Sequence, residues 1–457
     1  MRLKTLSHAW MIAAGLALWG SSFADAAVSE QEALLLKSRL TPTGAERAGN
    51  ADGSIPPWTG GYTQTAAGYQ KSDPRRDPFA ADKPLFSISA ANYRDYADRL
   101  PEGAKRLFEK YPDYRMDIYP SHRSAAAPDA VYDNIFKNAT RAHAAPEGIA
   151  YGVEGAAGGI PFPIPQNGYE AMWNHLLAFW GPARELTISN YVVPEHGSME
   201  KVSSYREIAD FPYYYPGATP DSFGGYYFKT LHIAVAPPAR VGESYLNWQP
   251  VNIKRKDFAA WRLVPGEHRV RKAPGISYDV PDIDAAGFLS LDEYYVFFGG
   301  LDHYDFKILG KKEMYVPYNN NRLYTRPVSE ILGHEHANPA DLRYELHRVW
   351  VIDGTLVPGK HDIVAHRRLY LDEDTWLAVY SDGWDEKGKL WKFGQGTMYL
   401  MPDVPALITG SQFDYDFELG GYAMSFAFDA GAEGYKVTAP HPASLFSPQS
   451  LSARSVR

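Results

Sequence analysis

Between Asp341 and Tyr422 strand-length runs carry apolar residues on both sides of a two-residue period, most clearly through ELHRVWVIDGTL and HDIVAHRRLYLDEDTWLAVYSDGWDEKGKLWKFGQGTMYL. Successive side chains of a strand point to opposite faces, so this period predicts strands. The runs are rich in Val, Leu, Tyr, Trp and Phe and are separated by turn clusters at Leu371-Asp372-Glu373-Asp374 and Asp385-Glu386-Lys387-Gly388. Together they predict an antiparallel meander. Trp391, Phe393, Gln395, Thr397 and Tyr399 fall on one face, with Leu390, Lys392, Met398 and Leu400 on the other. Trp376, Ala378 and Tyr380 likewise oppose Leu377 and Val379. Neither face is cleanly polar, so the sheet needs two covers: helices on one side, and on the other a second layer or an enclosed ligand.

From Ala183 to Tyr435 the same pattern recurs in shorter pieces. It predicts strands at Leu186 to Val193, Gly225 to Val235, Leu246 to Asn252, Asp257 to Val264, Leu289 to Phe298 and Asp305 to Tyr315. No fixed-period repeat runs through them, which excludes propellers and solenoids. The fold class expected is β-rich α+β: a large curved antiparallel sheet, or unclosed β-barrel, with helices packed in and around its concave face.

Helical spacing is confined to the first part of the chain. Ser29 and Glu32 form a capping box that opens a helix to about Leu40, ended by Thr41-Pro42-Thr43-Gly44. Two short helices are expected between Ser89 and Tyr111, separated at Leu100-Pro101-Glu102-Gly103, and another from Asp129 to Arg141 with Val131, Ile135 and Ala139 on one side. Ile160 to Pro165 must be extended, because each residue before a proline leaves the helical region. A helix at Tyr169 to Trp180 is apolar nearly all round, through Tyr169, Met172, Trp173, Leu176, Leu177, Phe179 and Trp180. Such a helix belongs in an interior, here inside the concave side of the sheet.

The chain divides into a leader (1–26), helical and extended wrapping segments (27–150), an antiparallel β domain (151–438) with the inserted helix 169–180, and a Pro- and Ser-rich tail (439–457) expected to be loose. Gly, Pro and Asp dominate Ala48 to Lys83, which should wrap the surface in extended segments. In the leader, Arg2 and Lys4 precede the apolar run Ala9 to Trp19 and the small residues of Ala24-Asp25-Ala26. This is the three-part pattern of a secretory signal, with cleavage expected before Ala27 and Asp25 the runner-up. The chain has no cysteine. Export without disulfides points to a bacterial envelope, and no cysteine is present to carry a lipid anchor, so a soluble periplasmic protein is expected. A formal net charge of −8 and the lack of a basic tract exclude a nucleic-acid role.

Chemical motifs are sparse. Gly333-His334-Glu335-His336 would need His334 and His336 on one strand face and a third ligand from His347, His361 or His366 to bind metal. Its spacing is not His-Glu-x-x-His and Asn338-Pro339 follows, so it reads as a loop, and no metal or other cofactor is expected. The glycines at 152, 155, 158 and 159 enter a proline run instead of a helix, which makes a connection and not a phosphate cradle. No Gly-x-Ser-x-Gly occurs. The acids at Asp302 with Asp305 and at Asp372 to Asp374 suit turns and edges.

Whole phrases match a known pattern. LTPTGAERAGN from Leu40 to Asn50, YPSHR from Tyr119 to Arg123, GIPFPIP from Gly159 to Pro165 with Trp173-Asn174-His175, and RRLYLDED from Arg367 to Asp374 resemble a proteobacterial domain-of-unknown-function family whose members are usually labelled outer-membrane lipoprotein-sorting proteins. That family is distantly similar to the periplasmic carriers LolA and LolB, so the resemblance implies an unclosed barrel with helices plugging a greasy concavity. It also implies partners: an exporter of the resistance-nodulation-division type and an outer-membrane β-barrel protein. The sequence departs from LolB in lacking the anchoring cysteine.

The leading expectation is a carrier or chaperone for a lipid or other hydrophobic molecule, without catalytic residues. Its ligand would touch Trp173, Leu176, Trp180, Trp376, Tyr380, Trp391, Phe393 and Tyr399. An adaptor that docks on an exporter or outer-membrane barrel through Ala48 to Lys83 is the alternative. A hydrolase using the acids or the His334 cluster ranks third.

Overall fold

Eighteen strands and six α-helices make up the computed structural model, which describes residues 28–70, 73–266, 269–273, 278–429 and 434–454. The leader pattern at 1–26 lies outside the described residues. The strands are β1 (Phe86–Ser89), β2 (Arg115–Tyr119), β3 (His143–Ala144), β4 (Val153–Glu154), β5 (Ala183–Pro194), β6 (Glu200–Asp210), β7 (Tyr226–Ala236), β8 (Ser244–Pro250) and β9 (Ala259–Leu263). They continue as β10 (Val270–Ala273), β11 (Tyr304–Pro317), β12 (Tyr344–Leu356), β13 (His366–Asp372), β14 (Ala378–Trp384), β15 (Leu390–Met401), β16 (Ala406–Asp416), β17 (Gly421–Ala427) and β18 (Lys436–Val437). The helices are α1 (Glu30–Ala33), α2 (Glu102–Lys110), α3 (Asp129–Arg141), α4 (Gly168–Leu176), α5 (Val328–Ile331) and α6 (Pro448–Arg454).

One sheet takes in all strands but β3 and β4. Across it the order is β11, β12, β13, β14, β15, β16, β17, β5, β6, β7, β8, β9, β10, each neighbour antiparallel, with the antiparallel β1–β2 pair added beside β12 by a short parallel pairing. The two ends, β10 and β11, do not pair, so the sheet is not closed into a barrel. The expected meander is β12 to β17, and it joins the second half of the sheet where β17 pairs β5. No helix of the described residues is long and apolar enough to cross a membrane.

Both faces are covered, as the double apolar pattern requires. On β15 the alternation is decisive: a Cβ on Gly103 of α2 would lie 2.1 Å from the Phe393 ring, whereas one on Gly396 would lie 3.0 Å from Val296. Phe393 and Gly396 therefore point to opposite sides, α2 covering one and the loop around Val296 the other. Asp382 of β14 accepts from the N–H groups of Glu102 and Gly103 at 2.9 and 2.7 Å, tying the α2 N-terminus to the sheet. In the second half Ile208, Leu231, Leu246 and Leu263 form a face packed against Phe446 and Leu451.

Phe446 and Leu451 belong to the segment expected to be a loose tail. A turn of 3₁₀ helix at Ala443–Phe446 and α6 instead bury both side chains, because the back of β6 to β9 is apolar and needs a cover. Leu289 to Phe298 is not a strand either. Tyr295 and Val296 have φ of +53° and +71°, a region that excludes pleated structure. Gln412 holds this loop, accepting from the Val296 N–H at 2.9 Å and donating to the Glu293 carbonyl at 2.7 Å. The helix expected at 169–180 stops at Leu176, and its Trp173 indole donates to the Ile149 carbonyl at 2.7 Å. β6 is not among the strands that the sequence pattern predicts. The Ala48 to Lys83 segment runs largely without regular structure and docks on this chain itself: the Trp58 indole donates to the Ala125 carbonyl at 2.9 Å, and buried Arg75 pairs with Asp403 at 2.6 Å.

Candidate functional site

Cross-strand register brings one set of side chains onto a single face of β5 to β8. Ile188 pairs with Tyr205, Glu207 with His232, His232 with Tyr245, Thr230 with Asn247 and Phe228 with Gln249. All of them line a cavity of about 300 Å³. The alternate residues of the same strands, Leu231 and Leu246 among them, face the C-terminal cover. Across the cavity lies the segment from Val280 to Phe298, which contributes Val280, Pro281, Ile283, Leu291, Tyr294, Tyr295 and Phe298, and β17 adds Phe426. Val280 and Ile283 are 45% and 61% exposed, so apolar groups stand at the entrance as well as inside. The volume is at the lower end of the roughly 300–1,000 Å³ typical of small-molecule pockets.

Buried charge braces this wall. The Arg184 guanidinium donates to Glu207 Oε1 at 2.7 Å and to the Tyr295 hydroxyl at 2.6 Å, linking β6 to the covering segment. His232 Nε2 lies 2.8 Å from Glu207 Oε2. Burial alone would raise the Glu207 carboxyl, but Arg184 and His232 hold it down at about 2. At the entrance Tyr205 donates to Asp284 at 2.7 Å, Arg240 pairs with Asp284 at 2.5 Å, and Tyr294 donates to Asp282. Burial, and then the Asp284 charge, push Asp282 up to about 6. His175 joins β14 to the covering loop, bonded by Nε2 to the Phe297 carbonyl at 2.7 Å and accepting at Nδ1 from the Ala378 N–H at 3.1 Å. Burial drives its pKa down to about 4, so it is neutral and structural.

Of the residues the sequence put forward, Leu176 and Trp180 line a narrow space of about 20 Å³ that shares Phe228, Tyr295 and Phe298 with the main cavity. The other six line neither. Trp376, Tyr380 and Phe393 are buried among this chain's own side chains, Trp376 donating to the Thr43 carbonyl at 2.8 Å and Tyr380 to that of Tyr315 at 3.0 Å. Trp391 donates to Asp416 at 2.9 Å, and Tyr399 packs edge-on to Tyr324. Trp376 also has φ of +66°, so the alternation read through Thr375 to Tyr380 breaks there. These meander aromatics thus pack against the chain's own residues, and the 300 Å³ cavity lies in the other half. Its signal in the sequence was the polar alternation of Thr230 and His232 with Asn247 and Gln249, which by itself resembles an ordinary solvent face.

The imidazole cluster is a loop, as expected: buried His336 approaches Asp113 at 3.3 Å and packs against Tyr111 and Tyr114. The open groove beside it, about 720 Å³, is lined by charged groups including Arg326, Glu330 and Glu335. Among the described residues one trio could hold a metal ion, His347, Asp372 and Asp374, each with one ligand atom within 4.8 Å of the others. Arg123 already donates to both oxygens of Asp374, at 2.6 and 2.9 Å, and Tyr318 and Thr375 donate to Asp372. The trio is built as an ion-pair and hydrogen-bond centre.

The sequence from residue 87 to 452 matches the family described as protein of unknown function DUF1329. The chain belongs to the DUF1329 family. It is 36% identical over 416 residues to the uncharacterized protein PA3922 of Pseudomonas aeruginosa, covering 90% of each chain. Among solved structures it is similar to a DUF1329 family protein from Desulfovibrio piger, with 14% identity, a TM-score of 0.42, and coverage of 62% of this chain and 95% of that one. A LolA superfamily protein from Nitrosomonas europaea shows 8% identity, a TM-score of 0.37, and coverage of 62% and 97%. At such scores the site has to be read from this DUF1329 chain's own geometry.

Proposed function

We propose that this protein is a periplasmic carrier that holds a lipid or other hydrophobic molecule between β5–β8 and the Val280–Phe298 segment. One observation carries the reading: on this face about 300 Å³ remains open among the apolar side chains Ile188, Phe228, Leu291, Phe298 and Phe426. Transfer of an apolar chain from water into such a space is favourable by about 0.8 kcal/mol per methylene, with no chemistry required. The export leader in the sequence supports the compartment, and the exposed Val280 and Ile283 give the ligand an apolar entrance. The Arg184–Glu207–Tyr295 link would keep the wall and its cover together while the cavity fills.

The test is saturable binding of the neutral fluorescent probe N-phenylnaphthylamine to the purified protein, with native mass spectrometry to detect co-purified lipid. Ile188→Trp, which places an indole in the cavity, should weaken the probe by at least tenfold while the far-UV circular dichroism stays unchanged. A wild-type protein that takes up no probe, or an Ile188→Trp variant that binds as well as wild type, would rule the cavity out as a carrier site.

A further inference from the structure

Within the cavity one polar atom stands apart. Gln249 is 3% exposed, it lines the open space, and its Oε1 has no hydrogen-bond partner. A buried acceptor left in this state is costly, and a site that keeps one empty is suited to a donor brought in by something else. Its neighbours on the same face, Asn247 and Thr230, are weakly bonded to each other at 3.4 Å, which makes a small polar patch in a mainly apolar wall.

Charge narrows the choice of donor. Apart from tyrosines, the ionisable groups that line the cavity are Glu207, Asp282, Asp284 and His232, and among the described residues no lysine or arginine lines it. Arg184 and Arg240 stand behind their carboxylates, each already engaged with Glu207 or Asp284. An anionic headgroup entering here would meet acids and an unpaired carbonyl oxygen, with no free cation to receive it. A hydroxyl or amide N–H would meet the acceptor it needs.

We infer that the cargo is an amphiphile with an uncharged, hydrogen-bond-donating polar end, received by Gln249 Oε1, and that fatty-acid and phosphate headgroups are selected against. This rests on the carrier reading above and goes further, since it names the chemical class of the cargo. The alkyl part would lie along Phe228, Phe298 and Phe426.

The experiment displaces N-phenylnaphthylamine from the full-length mature protein with three ligands of equal chain length: decanol, decyl methyl ether and decanoate. Decanol should compete roughly fivefold better than the ether, the size of one neutral hydrogen bond, and at least tenfold better than decanoate. Gln249→Leu, close in volume and without the acceptor, should bring decanol down to the ether, the ratio of the two being read on the same variant whatever its affinity for the probe. Ether or decanoate competing as well as decanol on the wild-type protein would overturn the headgroup assignment while leaving the carrier reading intact. If neither probe nor any of the three ligands binds, the carrier reading itself falls. The wild-type ranking decides the matter even where Gln249→Leu does not fold.

Discussion

Replacing Arg184 by methionine isolates the buried brace at the cavity. The side chains of Arg184 and Glu207 are 3% and 1% exposed, so the carboxylate left behind would be a buried charge facing only His232. Loss of one partner from such a pair costs about 3–5 kcal/mol. Unfolding entropy is about 2.1 cal/mol/K per residue, or roughly 0.8 kcal/mol/K for a chain of roughly 400 folded residues, which converts the loss into about 4–6 °C in Tm. Removing both charges, as in Arg184→Met with Glu207→Leu, should restore most of that, because no uncompensated ion remains and Trp180, Phe211 and Phe228 already surround the guanidinium. Thermal melts of wild type, the two single variants and the double variant give the coupling directly. An Arg184→Met protein within about 1 °C of wild type, or a double variant that loses the sum of the two singles, would refute the idea that this pair braces the wall.

Two further perturbations follow from buried groups elsewhere in the fold. Burial raises Glu170 to about 7, Asp382 to about 6 and Asp414 to about 8. In the folded state each keeps a proton that the unfolded chain has released above pH 4.5, so stability should fall as pH rises from about 5 to 8, whereas the depressed Glu207 loses its contribution only below that range. A Tm that is flat or climbing between pH 5 and 8 would contradict this, and Asp414→Asn should raise Tm at pH 8 by on the order of 2–5 °C with little effect at pH 5. Gly103→Ala sets helix propensity, worth about 1 kcal/mol in favour, against a Cβ 2.1 Å from the Phe393 ring, an overpacking of about 1–3 kcal/mol. The clash should win by a degree or two of Tm, and a stabilised variant would mean that α2 does not press on β15.

The sequence made the strands legible where period-two alternation met turn residues. The meander of β12 to β15, and strands at the positions of β5, β7, β8, β9 and β11, all stood out in that way. β6 did not, because Glu200, Lys201, Arg206 and Glu207 interrupt its apolar positions, and only tertiary pairing with Arg184 and His232 makes a buried glutamate acceptable there. Leu289 to Phe298 has strand composition, yet Gln412 and His175 bind its backbone and hold it in a left-handed turn, a long-range effect that no local pattern carries. The tail was read from its Pro and Ser content, whereas two residues, Phe446 and Leu451, decide its position. As for the site, aromatic richness pointed to the meander, but large aromatic rings are also what fills a core, and there they do.

That contrast explains why the hollow forms where it does. In the meander the ring-bearing face meets α2 and its neighbouring segments, which bring Phe108 and Tyr114 of their own, so that large groups from both sides pack into one core. On β7 and β8 Thr230, Asn247 and Gln249 stand among Phe228, His232 and Tyr245, short side chains below a cover that is itself stiffened by the turn at Tyr295 and Val296. The loop cannot sink onto them, because Arg184, Gln412 and His175 fix Tyr295, Val296 and Phe297 at their own heights above the sheet. Short polar residues below and a pinned loop above make a space that neither side can close, and one that keeps an acceptor waiting at Gln249.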